Sequence, residues 1–364
     1  MLTPTYDIQP LPPSVDFDTV PILKALARAN RVLAELKGRA ASIPNQTILI
    51  DTLALQEAKA SSEIENIVTT QDDLFQAELF PGGLGSAAAK EVALYRDALK
   101  LGFDRLRASD GLLTNATLIA MFRLLKQREG GFRETPGTAL KNEVSGEVVF
   151  VPPQDRNQII KLMDGLEAYV NEANRDQLDP LVRMALIHHQ FESIHPFPDG
   201  NGRIGRILNV LYLTKAELLE IPILYLSRHI TRNKASYYRL LQDVRTDGAW
   251  EAWVLFMLEA VAETSEATLV LVEGIRTQMQ AMKTRLRDDL PKLYSQDLLN
   301  NLFRHPYTRI DFVVSELGVS RQTAAKYLDE LAAHGIVDKI QVGRNNYFIN
   351  TALVQLFLDV AGGD

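Results

Sequence analysis

Residues 195–206 read His-Pro-Phe-Pro-Asp-Gly-Asn-Gly-Arg-Ile-Gly-Arg, and they lie where one predicted buried helix ends and another begins. This stretch holds a titratable base, His195, one carboxylate, Asp199, and two arginines, Arg203 and Arg206, around a glycine-rich turn. A base, a carboxylate and two cations in one loop and helix start are the groups that handle a charged, phosphate-bearing substrate. The stretch therefore predicts a site for phosphate-linked group transfer.

His195 follows the predicted helix Leu181–Ile194, which carries its apolar residues on one face. A buried helix fixes the position of the residue at its end. An imidazole has an ordinary pKa of about 6.5, so near neutrality a useful fraction can accept a proton from an incoming nucleophile. Phe197 is apolar among polar neighbours, and we expect it to anchor the loop in the core.

The turn Gly200-Asn201-Gly202 predicts a phosphate cradle. Glycine lets backbone N–H groups turn toward one point and lets a bulky anion approach without a Cβ clash. The helix that begins there adds its positive end. Arg203 and Arg206, three residues apart, share one helix face and can both reach phosphate oxygens. Asp199 suits Mg²⁺, which keeps much of its hydration shell and needs few protein carboxylates.

Each of these features also has an ordinary structural explanation. A Gly-Asn-Gly turn is usually only a turn, arginines at a helix start are usually solvated, and a lone histidine is more often structural. Their joint occurrence within one short stretch favours the functional interpretation.

Composition sets limits on the rest of the molecule. The chain has 364 residues, 46% of them apolar, which is enough for two or three domains. It has no cysteine, so disulfides, thiolate nucleophiles and cysteine-bound metals are excluded. A net charge of −7 gives no general attraction to nucleic acid. The chain has no apolar run long enough to predict a membrane span. It also has no basic segment followed by an apolar stretch at its start, the pattern that predicts a secretory signal. We therefore expect a cytoplasmic protein without membrane contact.

Helical periodicity dominates the chain after an extended, proline-rich start through about Phe17. Thr138–Pro153 is the exception, because a short apolar run on each side of Gly146 predicts a β-hairpin. A lone hairpin is marginal unless it packs on or binds something. Predicted helices lie at 20–37, 48–67, 90–106, 115–128, 159–173, 181–194, 204–217 and 263–287.

The last part of the chain, residues 290–364, predicts a winged helix. Ile310–Leu317 and Arg321–His334 form a helix-turn-helix pattern about Gly318, and two short strands follow. DNA binding is possible but not favoured, because this unit has about as many acidic as basic residues. A structural or dimerisation role is the preferred alternative.

Residues 195–206 resemble the active-site motif of the Fic family, HPFx[DE]GNGRxxR, with every defining position filled. The resemblance implies a mainly α fold, a Fic-type helical core and a β-hairpin flap that holds the target segment, and Thr138–Pro153 lies where that flap belongs. It also implies four regions: an N-terminal helical region (1–110), the core (111–262), a connecting helix (263–289) and the winged helix (290–364). Family members move AMP from ATP to a Ser, Thr or Tyr hydroxyl of a protein.

The resemblance assigns roles to the residues of the motif. His195 would be the general base, and Asp199 would hold Mg²⁺ between the α- and β-phosphates of ATP. Arg203 would neutralise the β-phosphate and Arg206 the γ-phosphate. The phosphate-binding segment would comprise Gly200, Asn201, Gly202, Arg203, Ile204, Gly205 and Arg206. Downstream, Tyr237 and Tyr238 match a family segment near the adenine, with Tyr238 favoured as the residue that packs on the base and helix packing as the alternative.

A second family pattern lies upstream, in Ser61-Ser62-Glu63-Ile64-Glu65-Asn66. It resembles the inhibitory pattern [ST]xxxE[GN], in which a helix, here at about 48–67, carries a glutamate into the ATP site. The resemblance implies that Glu65 pairs with Arg206, in the place of the γ-phosphate, with Ser61 and Asn66 as the flanking pattern residues. This would make the chain an enzyme that is inhibited by its own N-terminal helix.

Three alternatives remain open. Family members that transfer phosphate have lysine where this chain has Gly202, so AMP transfer is preferred. Glu65 also allows the reverse reaction, in which a carboxylate positions water to remove AMP from a modified protein. A third hypothesis is a winged-helix transcription regulator with a nucleotide-sensing core. Family habit suggests a homodimer, and the sequence names no target protein.

Overall fold

A computed structural model describes residues 5–70, 73–74, 86–141, 145–172, 176–342 and 345–362. Over these ranges the chain is mainly helical, as predicted, with one two-stranded and one three-stranded antiparallel sheet. The helices and strands are α1 (Val20–Ala41), α2 (Thr47–Ile64), α3 (Ala87–Ala108), α4 (Asn115–Lys126), β1 (Leu140–Lys141), β2 (Val148–Phe150), α5 (Arg156–Asn171), α6 (Pro180–Ile194), α7 (Asn201–Lys215), α8 (Ser227–Arg232), α9 (Lys234–Asp247), α10 (Trp250–Asp289), α11 (Gln296–Arg304), β3 (Tyr307–Thr308), α12 (Ile310–Leu317), α13 (Arg321–Ala333), β4 (Asp338–Val342), β5 (Asn345–Ile349) and α14 (Thr351–Gly362).

Helix α6 lies at the centre of the core, since every side chain from Leu181 to Ile194 is buried. The sequence marks both of its ends. Asp179 caps the first turn by accepting a hydrogen bond from the Leu181 N–H at 2.8 Å, and proline occupies the first helical position. The helix stops at His195, whose φ of +50° cannot continue it. Helix α7 packs against α6 and α3, so the loop between α6 and α7 is held from both sides.

Several helix boundaries differ from the predicted ones; for example, α2 ends at Ile64 rather than at 67, and α3 begins at Ala87 rather than at 90. Two further differences bear on the core. Helix α7 begins at Asn201 rather than Ile204, because Gly202 lies in its first turn without interrupting it. The predicted connecting helix at 263–289 is the second half of one continuous helix, α10, which begins at Trp250 inside the predicted core. Trp253 donates a hydrogen bond from Nε1 to the Ala185 carbonyl at 2.9 Å, which fixes the first half of α10 to α6. Helix α10 packs along α1 from Glu251 to Glu273, and its later part also carries buried apolar residues, so it is also part of the core.

The predicted hairpin is present as β1 and β2, which pair in antiparallel register with Leu140 opposite Phe150. The residues at its turn, 142–144, lie outside the described part of the chain. The N-terminal segment runs to the end of this hairpin, where the Thr5 N–H donates to the Val151 carbonyl at 3.1 Å. The hairpin therefore packs on the body of the protein at its base.

The C-terminal unit, residues 290–362, has the element order that the sequence predicts for a winged helix. Gly318, with a φ of +66°, separates α12 from α13, and Ser320 caps α13 by accepting from the Thr323 N–H at 3.1 Å. Strands β4 and β5 form the hairpin. Of its predicted turn at 343–346, Asn345 and Asn346 belong to β5, and Gly343 and Arg344 lie outside the described residues. The sequence analysis missed α11, α14 and β3, which pairs with β5 as a third strand.

None of the helices in the described ranges combines the length and the apolar character that a bilayer crossing requires.

Candidate active site

His195 occupies the C-terminal end of α6 in a left-handed backbone conformation, with its N–H bound to the Phe191 carbonyl at 2.9 Å. Burial lowers the pKa of its imidazole to about 4, with help from the positive charges of Arg133 and Arg245. The ring is therefore neutral at physiological pH. A neutral imidazole is the form that can accept a proton.

The loop after His195 is held by its own side chains. Phe197 is fully buried and stacks on Phe122 with ring centroids 4.6 Å apart, so it is the predicted anchor. Asn201 accepts a hydrogen bond from the Phe197 N–H at 2.8 Å and donates one to its carbonyl at 2.7 Å. The amide side chain of Asn201 thus closes the loop and is not free to bind a ligand.

The start of α7 supplies the predicted cradle. Gly200 has a φ of +78° and turns the chain into the helix. The N–H groups of Asn201, Gly202 and Arg203 lie in the first helical turn, where no preceding carbonyl can accept them. Ile204 differs from this set, because its N–H already donates to the Gly200 carbonyl at 3.0 Å.

Two further motif residues have packing roles in this structure. The Ile204 side chain is fully buried in the core. Gly205 lies where α7 meets α6, and a Cβ there would be 2.7 Å from Glu192 Oε1 and 3.0 Å from Phe191 Cδ1. Ile204 and Gly205 would therefore contribute to phosphate binding, as predicted, only through the backbone around them.

Both arginines of the motif are buried and paired with carboxylates from other helices. Arg203, 3% exposed, donates from Nη1 to Glu91 on α3 at 2.5 Å. Arg206, 1% exposed, donates from Nη2 to Glu65 Oε1 at 2.8 Å and from Nε to Ser61 Oγ at 2.7 Å. The two residues of the upstream pattern and the last arginine of the motif are therefore in direct contact, as the resemblance implies.

The geometry explains the third residue of the upstream pattern. Asn66 has a φ of +61°, a conformation that glycine and asparagine adopt most readily. Its N–H donates to the Glu63 carbonyl and the Ile67 N–H donates to the Ser62 carbonyl, each at 3.0 Å. These two bonds form a Schellman motif that ends α2 directly after Glu65. Asn66 therefore stops the helix where its glutamate meets Arg206.

The charges at this contact stabilise one another. Burial alone would raise the pKa of the Glu65 carboxyl, but the charge and hydrogen bond of Arg206 outweigh it and hold that pKa below its usual value. The same pairing raises the pKa of Arg206 despite its burial. A Cβ at Gly202 would collide with Glu65 Oε1 and lie 2.8 Å from Arg206 Nη1. Glycine at 202 is thus compatible with the close approach of Glu65.

Asp199 lies at the open side of the loop, with 60% of its side chain exposed, and pairs with Lys126 Nζ at 2.5 Å. Burial acts to raise its pKa, but Lys126 and Arg203 hold it below the usual value, so the carboxylate is ionised. The described residues contain no cluster of three or more His, Asp or Glu that could hold a metal alone. One exposed, ionised carboxylate fits Mg²⁺ that takes its other oxygen ligands from phosphates and water.

The two tyrosines differ in environment. Tyr237 is buried, and its hydroxyl is 2.7 Å from His188 Nε2, so it has the packing role that was the alternative interpretation. Tyr238 is 46% exposed, with its ring centroid 5.1 Å from that of Tyr237. Tyr238 is thus the more exposed of the pair, and its packing on the base stays a prediction.

Sequence reasoning missed the partners of the site. Glu91, Lys126 and Arg133 contact Arg203, Asp199 and His195 from elements remote in the chain. It also missed Glu192, on α6 beside the motif, whose burial raises its carboxyl pKa to about 7. A signal for Arg133 was available in principle, since it lies directly before the predicted hairpin, but one sequence does not distinguish it from any loop arginine.

Comparison with known proteins supports the family resemblance along the chain. Residues 112–213 match the family described as "Fic/DOC family", and residues 23–104 match "Fic/DOC family N-terminal". Residues 278–353 match "Protein adenylyltransferase SoFic-like, C-terminal domain". A probable protein adenylyltransferase of Aquifex aeolicus is 26% identical over 53% of this chain and 56% of its own length. The protein adenylyltransferase Fic of Aedes aegypti is 33% identical over 33% of this chain and 22% of its own length.

These matches span about half or less of the length of the curated relatives. Solved structures extend the likeness of the fold. A Fic family protein from Desulfovibrio desulfuricans G20 superposes with a TM-score of 0.58 at 21% identity, covering 93% of this chain and 98% of that one. A Fic domain containing signaling protein from Bacteroides thetaiotaomicron gives a TM-score of 0.55 at 19% identity over 68% of this chain and 98% of that one.

Proposed function

Because this chain belongs to the Fic/DOC family, we propose that it transfers the AMP group of ATP to a hydroxyl group of a protein and releases pyrophosphate. One observation carries the proposal: a neutral imidazole and two buried arginines belong to one loop and helix start, whose first N–H groups have no acceptor within the helix. Such an arrangement suits an anion that must be positioned and attacked. The curated relatives bear the name protein adenylyltransferase.

In the proposed reaction, the hydroxyl oxygen of the target attacks the α-phosphorus of ATP. Its proton moves to His195, whose pKa of about 4 leaves the ring free to accept it at neutral pH. The new bond joins the hydroxyl oxygen to the α-phosphorus, and the bond from that phosphorus to the β-phosphate oxygen breaks. Pyrophosphate leaves with the electron pair. The protein contributes mainly position and charge, so no covalent enzyme intermediate is needed.

The phosphates have distinct partners in this proposal. The free N–H groups of Asn201, Gly202 and Arg203 hold the transferred phosphate, and the Arg203 guanidinium neutralises the β-phosphate. Arg206 binds the γ-phosphate. Asp199 is the residue that would hold Mg²⁺, which supplies positive charge to the phosphate oxygens when bound. Gly202 leaves no lysine at the position that the phosphate-transferring members use.

Glu65 acts as a brake in this proposal. Its carboxylate and Ser61 occupy the guanidinium of Arg206, which is buried and cannot swing to a second partner in solvent. ATP then binds without its γ-phosphate in the productive place. The hairpin would hold the target backbone by strand pairing, which is largely indifferent to side chains. A homodimer and a cytoplasmic location stay predictions, and DNA binding by the predicted winged helix stays possible but not favoured.

The deciding experiment follows the label of α-³²P-ATP into protein and weighs the product by mass spectrometry. We expect the chain to gain the mass of one AMP and His195→Ala to abolish label transfer, because the variant lacks the group that is proposed to take the proton. ATP should still bind His195→Ala, as measured by calorimetry. Label transfer that persists in His195→Ala would refute the general-base role, and label from γ-³²P-ATP would refute AMP transfer.

A further inference from the structure

Arg133 lies between the base of the hairpin and the end of α6 and is 3% exposed. Its backbone N–H donates to the Pro196 carbonyl at 2.8 Å, its Nε to the His195 carbonyl at 2.8 Å, and its Nη2 to the Ile194 carbonyl at 3.4 Å. Three consecutive carbonyl groups of the active-site loop therefore accept hydrogen bonds from one residue. Nη2 also donates to the Pro153 carbonyl, at the base of the hairpin.

These bonds act where the backbone most needs support. The last carbonyls of a helix have no partner inside it and carry its negative end, which a cation stabilises. His195 has a φ of +50°, a left-handed conformation that is strained for a residue with a Cβ. A strained conformation persists only where its surroundings hold it. Arg133 supplies three bonds and a positive charge at this point.

We propose that Arg133 is a positioning residue for the proposed AMP transfer: it holds the backbone of His195 in the left-handed conformation that aims the imidazole, and it ties that backbone to the hairpin through Pro153. This inference rests on the proposed function. The general base, His195, and the hairpin, which would hold the target segment with its hydroxyl, are thus both hydrogen-bonded to one buried guanidinium.

The charge of Arg133 has a separate effect on His195. After burial, Arg133 and then Arg245 on α9 lower the pKa of the imidazole, whereas Glu65 on α2 and the backbone of Glu192 on α6 raise it. The neutral ring is the active form, so activity is lost as the pH falls through its pKa. Removing either cation raises that pKa and moves the acidic limb of the rate profile to higher pH. Hydrogen bonding and charge can therefore be tested apart.

The test uses AMP transfer kinetics of the full chain across pH, with ATP affinity measured by calorimetry. Arg133→Lys keeps the charge but loses the fork, so we expect kcat to fall at least tenfold while the Kd for ATP stays within twofold and the acidic limb stays in place. Arg133→Gln should lower kcat similarly and move the acidic limb to higher pH. Arg245→Gln should also move the acidic limb to higher pH, because it removes the second cation that lowers the pKa of His195. Arg245 Nε donates to Ser193 Oγ and not to the loop carbonyls, so this variant tests charge alone.

Arg123→Lys is the matched control. Its Nε also donates to a backbone carbonyl, that of Gly130 at 2.8 Å, but half of its side chain is exposed and it lies away from His195. We expect its kcat to be unchanged. A normal kcat in Arg133→Lys would overturn the positioning role while leaving the proposed function intact, whereas absence of AMP transfer both in the unaltered chain and in Glu65→Gly, which lacks the brake, would refute the proposed function itself.

A measurement on the unaltered protein covers the case in which the Arg133 variants do not fold. The Nε–H of Arg133 should exchange slowly with solvent in selectively labelled NMR spectra, because it is buried and bonded to the His195 carbonyl. Exchange at the rate of an exposed arginine would contradict the proposal.

Discussion

At the scale of single residues, the contact between Glu65 and Arg206 yields the sharpest prediction. Glu65→Gly should raise self-modification more than tenfold, a change of at least about 1.4 kcal/mol in the barrier, because Arg206 then becomes available to the γ-phosphate. Mass spectrometry of the chain after incubation with ATP measures it. Glu63→Gly, an exposed position on the same helix, should leave activity unchanged. Equal activity of the two variants would show that Glu65 does not inhibit the enzyme.

The sequence predicted this contact because both of its residues belong to recognisable patterns. The sequence did not predict the hydrogen bonds that support the site. Arg133 acts on backbone carbonyls, which every residue has, so no residue type at 194–196 reveals its partner. Glu91 and Lys126 lie on helix faces where a charged residue is ordinarily solvated. The predicted burial of Phe197 was confirmed, since an apolar residue in a polar loop has few other uses.

At the scale of elements, the approach of α6 and α7 depends on Gly205. A methyl group there would press on Glu192 Oε1 and Phe191, so Gly205→Ala should destabilise the protein by about 1–3 kcal/mol. The control is Gly165→Ala on α5, where a Cβ meets no atom within 4 Å and the better helix propensity should stabilise by about 0.5–1 kcal/mol. Chemical denaturation measures both. Stabilisation of equal size at the two positions would show that helix propensity, not packing, governs Gly205.

Element types followed from periodicity, but several boundaries did not. The start of α7 was placed three residues late, because glycine and asparagine are read as turn formers although here they form a helical first turn. The second half of α10 looked polar because its apolar residues form a narrow stripe, which packs on α1. Strand β3 has two residues, too few for any alternation to be visible.

At the scale of the whole molecule, Asp51 on α2 joins the core to the C-terminal unit. It is paired with Lys100 on α3 and, at 2.6 Å, with Arg304 on α11, and its side chain is 12% exposed. Burial acts to raise its pKa, but these cations hold it below the ordinary value of 3.8. The stabilisation is therefore complete above pH 3.8 and is lost as the pH falls through the lower pKa of the folded state.

We expect Asp51→Asn to lower the free energy of unfolding by about 1–3 kcal/mol at pH 7, because two cations lose a partly buried charged partner. Asp243→Asn breaks the exposed pair with Arg239 and should change it by less than about 1 kcal/mol. Thermal and urea unfolding at pH 7 compare the two. If Asp51→Asn proves as mild as the control, the pair does not hold the two units together.

Asp51 and Glu65 lie on one helix, separated by about 21 Å at 1.5 Å per residue. One end of α2 thus meets the C-terminal unit and the other meets Arg206 of the proposed site. Two binding sites that are joined by a rigid helix influence each other reciprocally. If a ligand at one site alters the binding affinity at the other, the second ligand alters the affinity at the first site by the same free energy. If a partner that separates Arg304 from Asp51 also shifts α2 so that Glu65 leaves Arg206, ATP in the proposed site would strengthen the binding of that partner by the same free energy.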